Sequence, residues 1–169
     1  MSMSGNRITK DTIPEGFCIS LALFDLVPVV LFGLCAIRAG SLFHSVLFVG
    51  GAAICLASGV VKVLWKLIAA AKKKNIWPMF VQMRILMPIG FMVMLLALIV
   101  DSANLNAAAI VAGITDAPAC VFFALGAFGM ILMCVFALRL DSSDARSNWI
   151  EQITNSLAQL CFFIALLLV

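Results

Sequence analysis

Asp25, Arg84 and Glu151 each stand in, or at the margin of, a separate long apolar run, and Lys62 and Lys66 lie near the end of another. Ionisable groups are costly in hydrocarbon, so they are rare there and face a partner or a water-filled cavity. Three cations and two carboxylates leave one positive charge unmatched when all are ionised. A small anion, a substrate carboxylate or a lipid phosphate can complete such a set. A carboxylate at that depth can also carry protons. The plainer chemistry is a set of salt bridges that lock helices together, with Lys62 and Lys66 reaching out to the headgroups along their apolar stems.

Spacing groups these residues. Gly51, Cys55, Ser58, Lys62 and Lys66 recur at three- and four-residue steps and form one helical stripe. Asn148, Gln152, Asn155 and Gln159 form a second stripe, with Glu151 beside it. Small and polar residues on one face of a membrane helix mark a helix–helix interface, because lipid offers them no partner. Both stripes are therefore expected to face inward. Pro28 frees the carbonyl of Phe24, next to Asp25, and Pro88 frees that of Arg84. Freed carbonyls at membrane depth meet other partners or line a cavity. Depth counts from helical rise place Asp25 ~12 Å, Arg84 ~10 Å, Asn155 ~9 Å and Gln159 ~15 Å inside one face of the bilayer. An Asp25–Arg84 ion pair is the expected centre. The candidate ligand-binding set is Asp25, Lys62, Arg84, Glu151, Asn155 and Gln159.

Composition fixes the solvent of the elements that carry this set. The 169 residues are 64% apolar and 11% charged, with a mean hydropathy of +1.19. Soluble domains are about half apolar and about a quarter charged, so lipid must cover this surface. The expected fold is an all-α polytopic bundle of five transmembrane helices in a single integral membrane domain. The spans fall at about 17–37, 42–71, 77–100, 119–138 and 149–169, each near the ~20 residues a bilayer requires. Prolines sit inside spans 1 and 3. A short apolar helix is expected at 107–114 within the loop 101–118. The first run is long and lacks a small-residue cleavage site, so it reads as a retained helix.

Arg7, Lys10, Lys72, Lys73, Lys74, Arg139 and Arg146 share one side of this topology, against Arg38 alone on the other. The positive-inside rule then gives a cytoplasmic N-terminus and an external C-terminus in the plasma (inner) membrane. Trp65, Trp77 and Trp149 are expected in an aromatic belt on the cytoplasmic side.

The excluded classes are equally clear. No basic run is interleaved with aromatics, so nucleic acid is not an expected partner. The six cysteines form no CxxC pair and there is one histidine, so no metal or other cofactor is expected. No nucleophile–base pair or HExxH motif is present, so a membrane-embedded enzyme acting on lipid ranks last. Two functions rank above it. One is a small transporter or channel component whose polar site takes an anionic solute or lipid headgroup. The other is a structural or assembly subunit whose charges only pair helices. A transporter of five spans would be expected to oligomerise or to join a complex.

Overall fold

Pro28 has no amide hydrogen, and its ring crowds the carbonyl four residues back. The first span breaks there. In the computed structural model, which describes residues 18–102, 107–140 and 144–169, α1 (Ile19–Phe24) and α2 (Leu26–Phe43) are two parts of one 25-residue span with Asp25 at the junction. The Asp25 amide still donates to the Leu21 carbonyl at 3.0 Å, so the break is a kink.

α3 (Val46–Lys72) starts at Ser45, whose side chain accepts from the Phe48 amide at 3.0 Å. It ends in left-handed Lys73, with φ 49°. α4 (Trp77–Val100) opens with Pro78 in its first turn, where no amide partner is missing. It continues through Pro88 unbroken. α5 (Ala107–Thr115) is the short helix expected in the loop. α6 (Ala119–Arg139) and α7 (Ala145–Leu168) complete the order. Every element among the described residues is a helix, and five are long and apolar enough to cross a membrane. The protein is an integral membrane helical bundle.

Three boundaries differ from expectation by four residues or more, one of them the start of the second span, at Val46 instead of 42. The first span continues past Arg38 to Phe43. It can do so because Arg38 Nε donates to the Leu166 carbonyl at 3.0 Å, at the C-terminal end of α7, and is not left in lipid. The last span begins at Ala145, four residues before Trp149, where Asp144 caps it through Ser147. Arg7 and Lys10 lie outside the described residues.

The near end of the bundle carries the starts of α1, α4 and α7 and the ends of α3 and α6. The far end carries the opposite termini. α2 lies between α3 and α7, α4 packs on α3, and α6 packs on α7. Small residues bring the paired helices close. A Cβ on Gly90 would sit 2.5 Å from Cys55 Sγ and 2.8 Å from the Gly51 carbonyl oxygen. Gly129 makes the same room for Ala158 across α6 and α7, where an added Cβ would fall 2.7 Å away.

Two apolar clusters close the bundle. At the near end Leu21, Trp65, Ala69 and Phe80 are buried together, with Trp77 and Trp149 packed against them. At the far end Ala39, Phe48 and Ala97 are buried, with Phe43, Met94 and Leu166 around them. The same four spans supply both clusters: α1–α2, α3, α4 and α7. All three tryptophans are at the near end, as expected. Trp65 is nevertheless a core residue, 1% exposed, not a belt residue. Its ring stacks near Phe80 at 4.9 Å and its Nε1 donates to Asn75 Oδ1 at 3.0 Å.

Candidate functional site

One helical turn inward from the near cluster, each of the four spans carries a polar side chain. Asp25 follows Leu21 by four residues and Arg84 follows Phe80 by four. Lys62 precedes Trp65 by three on the antiparallel α3, and Gln152 follows Trp149 by three. Three- and four-residue steps share a helix face. A polar layer therefore lies between the two apolar clusters.

Asp25 is its centre. The carboxylate is 1% exposed. Its Oδ2 lies 2.9 Å from Lys66 Nζ and its Oδ1 lies 3.7 Å from Lys62 Nζ. The closer contact is an ion pair. Lys66 is buried with Asp25, whereas the Lys62 side chain keeps 27% of its surface. Glu151 faces this trio from α7, half-buried and within electrostatic reach of both lysines.

The expected Asp25–Arg84 pair is not formed. Arg84 is exposed, and its guanidinium sits over the Phe80 ring, 4.9 Å from the centroid. The direction of the Cα–Cβ bond explains both outcomes. It tilts toward a helix's own N-terminus. α4 starts at the near end, so Arg84 leans back along its helix toward that interface. α3 starts at the far end, so Lys62 and Lys66 lean into the bundle. Lys66 therefore meets Asp25 and does not snorkel outward.

Both stripes face inward as expected. Gly51, Cys55, Ser58 and Lys66 are buried, as are Asn148 and Gln152. Asn155 and Gln159 are half-buried. The backbone carbonyl of Gln159 accepts from Cys35 Sγ at 3.7 Å, linking α2 to α7. Gln82, outside the candidate set, joins α4 to α3 by donating from Nε2 to the Ser58 carbonyl at 3.1 Å. Ser58 Oγ and Gln152 Oε1 are buried without a hydrogen-bond partner among the described residues. Among those residues no group of His, Cys, Asp and Glu is arranged to hold a metal ion.

No family model matches the chain, and neither a curated protein nor a solved structure is significantly similar to it.

Lys66 is the residue missing from the candidate set. Its place on the Ser58–Lys62 stripe pointed inward, and only its nearness to the interface argued for snorkelling.

Proposed function

We propose that the polar layer is the solute site of a small transporter or channel component. It would lie in the cytoplasmic half of the plasma membrane, with the N-terminus inside and the C-terminus outside. The observation that carries this is the layering. Three spans place Asp25, Lys62 and Gln152 one turn inward of one apolar cluster, the fourth carries Arg84 at the same register with its head turned back over Phe80, and a second cluster from the same spans closes the other side. A bundle held only by packing could use leucine at every one of these positions.

Charge favours an anionic ligand, either a small solute or a lipid headgroup. Lys66 neutralises Asp25. Lys62 and Arg84 then stand against Glu151 alone, which leaves one positive charge. Asn155 and Gln159, half-buried further along α7, would add neutral hydrogen-bonding groups. The outer faces of α4 and α6 are apolar and exposed, which suits lipid and a further copy or partner subunit.

Thermal unfolding in detergent tests the proposal. Small anions or anionic phospholipid should raise the melting temperature, and Lys62→Met should abolish that rise. An unchanged melting temperature with every anion, together with an unchanged Lys62→Met protein, would leave no case for a ligand site.

One observation favours the second function, a helix-assembling subunit. Asp25 is already matched by two lysines and closed off from solvent. On that footing its role is to join α1–α2 to α3.

A further inference from the structure

We infer that Arg84 holds the phosphate of an anionic phospholipid against the outer face of α4, with Lys72, Lys73 and Lys74 drawing that lipid to the near end. The inference rests on the anionic reading and divides its two ligand sources: the headgroup belongs to α4 and the free anion to Lys62.

Arg84 stands where lipid is the neighbour. α4 packs on α3, and Arg84 is exposed together with Ile85, Leu86, Pro88 and Ile89. A bare cation in hydrocarbon is costly, so its head must find an anion or the aqueous surface. The sequence supplies no carboxylate nearby along the chain. No Asp or Glu lies between Asp25 and Asp101, a stretch that carries seven cations. Of the seven, Lys62 and Lys66 face Asp25, and Arg38 is bound to the Leu166 carbonyl at the far end. Lys72, Lys73, Lys74 and Arg84 remain, and all four are exposed. Among the described residues none of the four makes an ion pair.

The direction of Arg84 selects the headgroup. Its side chain leans toward the start of α4, and the guanidinium lies over Phe80, 4.9 Å from the ring centroid. Phe80 lies in turn against Trp77, the first residue of α4, with centroids 5.3 Å apart. Cation and rings form a ladder toward the near interface. At ~1.5 Å per residue the Phe80 level is only ~5 Å inside Trp77. The lysines are tied to the head of the same ladder. Asn75, next to Lys74, accepts from Trp65 Nε1 at 3.0 Å, and the Trp65 ring lies 4.9 Å from Phe80.

The two kinds of cation act differently. Lysines beside a membrane helix attract anionic lipid through the surface field, which salt screens. An arginine below that surface offers a planar fork that meets two phosphate oxygens at once. The acyl chains of the same lipid lie along the apolar outer face of α4, a contact that a free phosphate does not make.

Native mass spectrometry of the full chain, released from mixed micelles of phosphatidylglycerol and phosphatidylcholine, counts the lipids that stay bound. The native protein should retain phosphatidylglycerol in preference. Arg84→Gln should lower that retention several-fold. Arg84→Lys, which keeps the charge and loses the fork, should fall between the two. Lys72→Gln/Lys73→Gln/Lys74→Gln should weaken retention at low salt and change it little at high salt. Lys62→Met should leave it unchanged. None of these variants touches the Asp25–Lys66 pair.

Equal retention by the native protein and Arg84→Gln would overturn the site. Loss in Lys62→Met but not in Arg84→Gln would put the headgroup in the polar layer and overturn it as well. A changed oligomeric state in Arg84→Gln, with lipid retention unmoved, would make Arg84 a contact to another helix instead. Failure of the α4 site leaves the free-anion reading standing, because stabilisation by acetate and its loss in Lys62→Met are read separately by melting temperature.

Discussion

Asp25 Oδ2 and Lys66 Nζ meet at 2.9 Å, with both side chains at most 5% exposed. The pair joins the kink of the first span to the inner face of α3. Removing one partner of a buried pair strands the other and costs about 3–5 kcal/mol. Asp25→Asn and Lys66→Met should each lower unfolding stability in detergent by an amount of that order. The double variant should recover much of the loss, because neither charge is left unpaired. Chemical unfolding of the four proteins measures the coupling. Additive losses would mean that the two groups do not act as a pair.

Most of the architecture was legible because lipid demands long apolar helices. The third span, Trp77–Val100, falls on the expected residues, and the short helix at Ala107–Thr115 falls within one residue of them. Both polar stripes face inward, because three- and four-residue spacing fixes a face whatever the neighbours are. The ion pairing was less legible. Depth alone put Asp25 beside Arg84. Chain direction, which turns Arg84 toward the near interface and Lys66 into the bundle, was available in the sequence once the topology was drawn. The length of the first span was not available, since it depends on Arg38 finding a carbonyl of α7 that lies 128 residues away.

The α3–α4 contact depends on the absence of side chains. At Gly90 an added Cβ would meet Cys55 Sγ at 2.5 Å and the backbone of Gly51 at 2.8 Å. Overpacking of this kind costs about 1–3 kcal/mol. Gly90→Ala should therefore destabilise, whereas Gly50→Ala, with nothing within 4 Å of the new methyl group, should be neutral or slightly stabilising. Melting temperatures of the two variants make the comparison. Equal effects would mean that the helices are not in close contact at Gly90.

The proposed orientation rests on the lysines and arginines gathered at the near end. In a cysteine-free background, a cysteine at Lys74 should resist membrane-impermeant thiol reagents applied to intact cells. One at Asp116, beyond α5, should react. The reverse pattern would invert the protein in the membrane.

Asp144 lies just outside the last span and accepts from both the amide and the hydroxyl of Ser147, at 2.8 and 2.9 Å. These bonds favour the charged form and hold its carboxyl below the usual value of 3.8. A depressed value in the folded protein stabilises the helix start above the ordinary carboxylate range, and that contribution is lost as pH falls through the lowered value. Carboxyl NMR titration should place the Asp144 midpoint below 3.8 in the native protein. Ser147→Ala removes the hydroxyl bond and keeps the capping amide, so it should move the midpoint part of the way upward, and a midpoint unmoved by that change would remove the hydroxyl's share.

The most direct test of an anion site in the polar layer is the reactivity of a single cysteine at Asn155, half-buried on the inward stripe of α7. In the cysteine-free background it is exposed to a sulfonate-bearing and an ammonium-bearing methanethiosulfonate from the near side. The expected result is reaction from that side, faster with the anionic reagent, and slowed by acetate. A cysteine that reacts with neither reagent, or at a rate indifferent to reagent charge and to acetate, would contradict a charged, ligand-accessible layer and leave a dry set of helix-pairing charges.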